Sequence, residues 1–171
     1  VYQNLNMTEG LFLEYNAYEK SGREFNTRGG LFTRMSSVGV RRHVKGVTDD
    51  QYKFDVYDCT MTTSSGKNKQ THFDGTYMII HKQLNSILQV RTNGSPKLKG
   101  VKFDRKEEVE NIKLYKEKGK EASNLDITYA RYISRLSENP EYKKVYFSIV
   151  DGEMHLAFWY KKHPARKIKN F

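Results

Sequence analysis

Hydrophobic and polar residues alternate along much of the chain after its first fifth. Val38 and Val44 belong to one alternating segment, and Phe54 and Val56 belong to a second one beyond a polar turn at residues 48–50. A period of two on both sides of a short polar turn is typical of a β-hairpin with one face in water. The pattern therefore predicts two antiparallel strands in this part of the chain.

Further strands are predicted after this hairpin. Residues 71–80 predict a third strand with a β-bulge at Gly75, residues 86–91 predict a fourth, and residues 107–115 predict a fifth with less regular alternation. The polar segment 92–100 contains Gly and Pro and is typical of a long loop. Near the end, an Asp-Gly pair at 151–152 separates two apolar alternating segments, which predicts a hairpin closed by a type I′ turn.

Two segments have helical spacing instead. Apolar residues recur at i, i+4, i+7, i+8 and i+11 in one of them, namely at Leu125, Tyr129, Tyr132, Ile133 and Leu136. This spacing predicts an amphipathic helix that ends before Asn139-Pro140. Near the start, Leu11, Tyr15 and Tyr18 follow a capping residue, Thr8, and predict a short helix. The paired glycines in residues 25–37 predict a loop after it.

These elements predict an α+β fold. We expect a single domain over residues 1–171, with an antiparallel-rich sheet of about six to eight strands and one or two helices packed on it. Residues 1–37 form an N-terminal segment without a clear strand pattern, and residues 163–171 form a basic tail. The chain shows no internal repeat, and no linker divides it cleanly.

The succession of strands resembles a bacterial family of uncharacterised proteins, catalogued as domain of unknown function 3137. The resemblance covers roughly residues 38–162 and depends on Gly46 with YKFDVYDC, on HFDG at 72–75, on IKLY at 112–115, on LDITYARYISRL at 125–136, and on FSIVDGEMHLAFW at 147–159. The chain departs from the family pattern at residues 116–123, where lysines stand in place of acidic residues. The resemblance implies a bacterial protein whose soluble domain follows transmembrane helices. It implies no activity and no catalytic residue.

Charge adds a prediction about partners. The formal net charge is +10, from 30 Lys and Arg against 20 Asp and Glu, and such an excess attracts nucleic acid, anionic lipid or acidic proteins. The residues predicted to contact an anionic surface lie in the long loop and in the tail: Lys97, Lys99, Lys102, Lys161, Lys162, Arg166, Lys167 and Lys169. We expect an anionic membrane surface or an unidentified protein as the partner. A solvated surface that maintains solubility is the alternative.

Nucleic-acid binding is a second interpretation of the same charge. Tyr52, Phe54, Phe73, Tyr77 and Phe158 would have to be exposed on the sheet to stack on bases. The chain has no RNP1-like segment, and alternating aromatic residues in strands more often form a core. The basic tail contains no interleaved aromatic residue apart from the terminal Phe171, so membrane contact is the preferred expectation.

No catalytic or metal-binding motif is recognisable. The five histidines lack metal-ligand spacing, and a site assembled from His72, Cys59 and Asp58 is the alternative that spacing leaves open. We expect His43 and His155 to be solvent-facing or at the core edge, and Cys59 to be a half-buried structural residue. No cofactor is expected. The sequence predicts a non-catalytic binding or scaffold module, and the alternative is an enzyme whose site is assembled from scattered residues.

The expected location follows from the same features. A single cysteine suggests a reducing compartment, and no window approaches the roughly 18 apolar residues of a membrane span. With the resemblance and the basic clusters, we expect the domain on the cytoplasmic side of a bacterial membrane, or in the cytoplasm if there is no tether.

Overall fold

The structure, a computed structural model, describes residues 9–13, 19–32, 35 and 37–162. Its elements in chain order are β1 (Glu9–Leu13), α1 (Glu19–Gly29), β2 (Ser37–Val47), β3 (Lys53–Ser65), β4 (Asn68–His81), β5 (Leu88–Arg91), β6 (Phe103–Val109), β7 (Ile112–Glu117), α2 (Asn124–Ser137), β8 (Tyr142–Val150) and β9 (Glu153–Tyr160).

The strands form one continuous antiparallel sheet. Their order is β1-β2-β3-β4-β9-β8-β5-β7-β6, so the closing hairpin β8–β9 is inserted between β4 and β5. The predicted fold class is confirmed: the molecule is α+β, with an antiparallel sheet and helices packed on it. Including β1, the described sheet contains nine strands.

Each face of the sheet carries one hydrophobic core. Helix α2 covers the first core through Ile133, which packs with strand residues such as Leu114 and Phe147. Helix α1 covers the second core through Phe25, whose ring lies 4.4 Å from that of Tyr77. Burying a large apolar side chain stabilises a fold by about 1.5–3 kcal/mol. Because successive strand residues point to opposite faces, the strands contribute apolar side chains to both cores.

Several predicted elements are confirmed. The hairpins β2–β3 and β8–β9 lie where the alternation placed them, and both Asp151 and Gly152 have positive φ, 47° and 78°, as a type I′ turn requires. Helix α2 ends at Ser137, before Asn139-Pro140. It begins with a capping box, in which Ser123 and Asp126 satisfy each other's backbone N–H groups.

The prediction for the N-terminal segment was wrong in its described part. Residues 9–13 form a strand paired with β2, because the edge of that strand offers free backbone partners. The helix is instead Glu19–Gly29, and it occupies part of the predicted loop. The paired glycines end this helix, with Gly30 at φ +64° in the left-handed C-terminal position. Thr8, Tyr15 and Tyr18 lie outside the described residues.

Two strand details also differ from the predictions. Residues 107–115 were predicted as one strand, but they contain the end of β6 and the start of β7. The chain turns between these strands at Glu110, whose φ is 55°. The irregular register of β3–β4 lies at His72, and Gly75 pairs regularly. Gly75 is needed for close approach of the next strand, because an added Cβ would lie 1.9 Å from the carbonyl oxygen of Phe158.

Candidate functional site

The described lysines of the predicted anionic-surface contact lie in two separate groups. Lys161 and Lys162 are exposed directly after β9, where the Lys161 N–H donates to the carbonyl of Glu141 at 3.0 Å. Lys97, Lys99 and Lys102 are also exposed. The three further tail residues, Arg166, Lys167 and Lys169, lie outside the described residues.

One of the loop lysines, Lys99, lies near the opposite end of the β8–β9 hairpin. Lys99 lines a cleft with Asp151 and Glu153, which are at the turn of that hairpin. Strand β9 has eight residues between this turn and the position before Lys161, a length of about 23 Å. The described members of the two lysine groups therefore do not form one continuous surface.

The end that carries Lys161 holds additional cations that the sequence analysis missed. Lys143 and Lys144 are exposed at the start of β8, and Lys144 pairs with Trp159. We call Lys143, Lys144, Lys161, Lys162 and Trp159 the hairpin-end patch. A two-residue turn at 151–152 already implies that residue 144 lies opposite residue 159, so the register would have revealed this grouping.

Trp159 gives the hairpin-end patch its chemical character. The Nζ atom of Lys143 lies 4.1 Å from the centre of the Trp159 ring, a cation–π distance. Tyr160 follows Trp159 and is partly exposed. Amphipathic Trp and Tyr rings beside lysines are typical of the membrane–water interface, where the ring is in an apolar layer and the polar atoms are in water.

The aromatic residues proposed for base stacking are mostly inside the protein. Phe54, Phe73, Tyr77 and Phe158 have exposed fractions of 1%, 0%, 0% and 4%, so they cannot stack on bases. Tyr52 is half-buried next to Lys82. The nucleic-acid interpretation therefore loses four of its five aromatic contacts.

A polar network that we call the histidine network occupies the α1 face near the turn of the β8–β9 hairpin, and its members Tyr77 and His155 are fully buried. The hydroxyl of Tyr77 lies 2.7 Å from His155 Nδ1, and His155 Nε2 lies 3.2 Å from Glu153 Oε1. Arg28 of α1 reaches the same carboxylate, with Nε 2.9 Å from Oε1. The first helix is thereby tied to the centre of the sheet.

The network continues to Asp55 through His81. The Nδ1 atom of His81 lies 3.6 Å from Glu153 Oε2, and its Nε2 atom lies 2.9 Å from Asp55 Oδ2. His43 Nε2 lies 2.7 Å from the other oxygen of Asp55. His43 and His155 have exposed fractions of 2% and 0%, so the expectation that they are solvent-facing or at the core edge was wrong.

The protonation states match this geometry. Burial raises the pKa of Tyr77, so its hydroxyl keeps its proton, and burial lowers the pKa of His155, so the ring is neutral near pH 7. Burial would raise the pKa of Glu153, but hydrogen bonds from His155 and Arg28 lower it to about 2. Tyr77 then donates to Nδ1, and the Nε2–H group of His155 donates to an ionised Glu153.

The network has the composition of an acid–base site but not its geometry. A catalytic histidine needs one ring nitrogen directed at a substrate. His155 uses both nitrogens inside the protein, and both nitrogens of His81 face carboxylates. The open pocket of about 560 Å³ beside Asp55 and His81 is therefore next to groups that are already engaged.

Two other reactive side chains also have structural roles. Cys59 is fully buried rather than half-buried, and burial raises the pKa of its thiol, which disfavours a nucleophilic thiolate. The Nζ atom of Lys116 lies 2.6 Å from Ser86 Oγ but also 2.9 Å from Asp126 Oδ2. The lysine therefore belongs to an ion pair that anchors the start of α2.

The metal site that the spacing left open does not form. Asp58 and Cys59 are successive strand residues and point to opposite faces of the sheet, and Asp58 lies 2.7 Å from Arg41 Nη2. His72 is 2.7 Å from the hydroxyl of Thr63. Within the described ranges, no three His, Cys, Asp or Glu residues are grouped so that they could hold a metal ion.

Comparison with protein-family models, with curated proteins and with solved structures gave no significant match for this chain. The resemblance seen in the sequence therefore stays a prediction. Among the described residues, neither helix has the length and apolar character needed to cross a bilayer.

Proposed function

We propose that this chain is a non-catalytic module that docks on an anionic membrane surface through the hairpin-end patch. In this proposal it is the soluble part of a membrane-anchored bacterial protein and faces the cytoplasmic leaflet. The observation that carries the proposal is the grouping of four exposed lysines around Trp159 at one end of the β8–β9 hairpin. The histidine network supports the non-catalytic part, because both ring nitrogens of His155 and both of His81 are directed at protein groups.

The expected strength of docking is modest. A basic residue near an anionic leaflet contributes about 1 kcal/mol, so the four lysines alone give a dissociation constant of about 1 mM. Arg166, Lys167 and Lys169 follow in the sequence, and three more charges would bring the dissociation constant to about 10 µM. A tether in the full-length protein would raise the local concentration further. Docking of this kind orients a tethered domain.

The experiment uses Trp159, which is the only tryptophan of the chain and lies inside the hairpin-end patch. Vesicles rich in phosphatidylglycerol are titrated into the protein, with tryptophan fluorescence and co-sedimentation as readouts. We expect a blue shift and sedimentation with the native chain. The triple variant Lys144→Gln, Lys161→Gln, Lys162→Gln should bind about 100-fold more weakly, since about 3 kcal/mol of attraction is removed.

The matched control is the loop variant Lys97→Gln, Lys99→Gln, Lys102→Gln, which removes the same charge outside the hairpin-end patch. It should bind vesicles like the native chain. Equal losses in both triple variants would show that only net charge matters and would contradict the proposal. Tighter binding to single-stranded RNA than to vesicles at about 150 mM salt would favour nucleic acid instead.

A further inference from the structure

A groove of about 670 Å³ lies on the α1 face, and none of its lining residues belongs to the hairpin-end patch. It runs between the C-terminal half of α1 and the loop 96–101. Its apolar lining is formed by Phe32, Met35, Val38, Leu98 and Val101. Val38 and Phe32 are buried and lie deep, whereas Lys97 and Lys99 are exposed and lie at the rim. This volume is within the range of pockets that hold small molecules.

Asn26 of α1 lines the same groove and has an unsatisfied acceptor. Its side chain is only 7% exposed, and its Nδ2 donates to the carbonyl of Phe32 at 3.0 Å. That bond sets the amide orientation, because the reversed amide would place two oxygens together. The Oδ1 atom is buried and has no hydrogen-bond partner in the part of the chain that the structure describes. A buried acceptor without a partner is unfavourable, and a small turn of the Asn26 amide towards the groove would let a ligand donate to it.

A side chain of the sheet fixes the positions of the two walls of the groove. The fully buried Gln89 donates through Nε2 to the carbonyls of Gly30 and Lys97, at 3.4 and 3.3 Å. Gly30 packs so closely on the loop that an added Cβ would lie 2.4 Å from the Lys97 carbonyl oxygen. The end of α1 and the loop are therefore joined through one side chain, and the groove between them is preformed.

The charges select the kind of ligand. The described residues that line the groove include two lysines and no carboxylate. We propose that the groove binds a small amphipathic organic anion, with its apolar body against Phe32 and Val38, its acid group at Lys97 and Lys99, and an N–H or O–H group donating to Asn26 Oδ1. This site is independent of the membrane proposal, because the groove and the hairpin-end patch have no residue in common.

The test uses 1-anilinonaphthalene-8-sulfonate, which combines apolar rings, an anionic sulfonate and one N–H donor. Fluorescence titration gives its affinity, and backbone amide shifts of the isotope-labelled protein locate it. We expect shifts centred on Asn26, Leu98 and Val101. The variant Lys97→Gln, Lys99→Gln should weaken binding about tenfold, since charged hydrogen bonds to the sulfonate are lost. The matched variant Lys144→Gln, Lys161→Gln should bind the dye like the native chain.

Two related dyes separate the contributions of charge and of the donor. N-phenyl-1-naphthylamine lacks the sulfonate, so its affinity should not respond to the loop variant. The N-methylated sulfonate dye lacks the donor and should bind several times more weakly than its parent. Equal affinity of the methylated dye would overturn the role of Asn26. Dye shifts centred on the exposed Leu125 and Tyr132 of α2, or an unchanged affinity of the loop variant, would overturn the site itself.

Discussion

Gly29 shows how closely helix α1 is fitted to the sheet at the level of one residue. A Cβ atom at this position would lie 2.4 Å from the Tyr77 hydroxyl and 2.6 Å from His155 Nδ1. The Gly29 carbonyl also accepts a hydrogen bond from Ser148 Oγ at 2.8 Å. The last turn of α1 therefore packs directly against Tyr77 and His155. No side chain at position 29 fits between the helix and the sheet.

We therefore expect Gly29→Ala to lower the free energy of unfolding by about 1–3 kcal/mol, as overpacking does in a fitted core. Gly39→Ala is the matched control, because an added Cβ at Gly39 has no atom within 4 Å. It should change the free energy of unfolding by less than about 0.5 kcal/mol. Urea unfolding of both variants measures the difference. Similar losses in the two would show that Gly29 is not tightly packed.

The histidine network also predicts a dependence of stability on pH. Burial lowers the pKa of His155 from its ordinary value of 6.5, so the unfolded chain takes up a proton first as the pH falls. The free energy of unfolding should thus be highest above pH 6.5 and decrease below it. The decrease is about 1.4 kcal/mol for each pH unit that separates the folded and unfolded pKa values.

A second decrease should follow at lower pH. The pKa values of Glu153 and Asp55 lie below their ordinary values of 4.5 and 3.8, so their stabilising effect is present above those values and is lost as the pH falls towards 2. Urea unfolding between pH 3 and 8 measures both steps. His155→Gln should remove the upper step and keep the lower one. An upper step that persists in this variant would assign it to another group.

At the level of elements, the start of helix α2 depends on a buried ion pair. Asp126 completes the capping box with Ser123 and lies 2.9 Å from Lys116 Nζ. Burial would raise the pKa of Asp126, but hydrogen bonds from the Ser123 N–H and from Lys116 lower it. Lys116 is one of the lysines at which the chain departs from the resembled family, and the structure gives it a clear role in the fold.

Asp126→Asn should therefore destabilise the protein by about 3–5 kcal/mol, because it leaves the 6% exposed Lys116 without its charge partner. Ser123→Ala is the control and should cost only about 1 kcal/mol, the usual effect of losing a capping side chain. Thermal unfolding followed by circular dichroism compares the two. The double variant Lys116→Met, Asp126→Asn should recover most of the loss. If Asp126→Asn costs no more than Ser123→Ala, the capping role alone matters.

For the whole molecule, the insertion of the last hairpin into the centre of the sheet joins its two halves. Strands β1–β4 and β5–β7 have no pairing with each other, and the hairpin β8–β9 joins them by pairing with β4 on one side and β5 on the other. Residues of β8 and β9 also contribute to both hydrophobic cores. This topology supports the expectation of a single domain, which a truncation tests directly.

A chain that ends at residue 140 should show no cooperative urea unfolding and no near-ultraviolet circular dichroism, in contrast to the full chain. The physical reason is that both halves of the sheet would lose their central partner and expose backbone groups of β4 and β5. A cooperative transition in the truncated chain would show that residues before the hairpin fold on their own. The long loop at 92–100 would then mark a domain boundary.

Local patterns along the chain were sufficient to predict several of the elements. Alternation of period two defined the strands of β2, β3 and the closing hairpin, the Asp-Gly pair defined its turn and register, and helical spacing defined α2. These patterns report which face of an element is apolar, and that depends on neighbouring residues alone. Helix α1 was not predicted, because its glycines made this part of the sequence resemble a loop.

Contacts between residues of different elements follow from the tertiary structure. The histidine network joins residues of β2, β3, β4 and β9 to Arg28 of α1, and no spacing along the chain reveals such contacts. The separation of the two lysine groups likewise follows from strand direction in the assembled sheet. Local sequence patterns determine which face of an element is buried, whereas contacts between distant residues depend on strand order and on the packing of both helices.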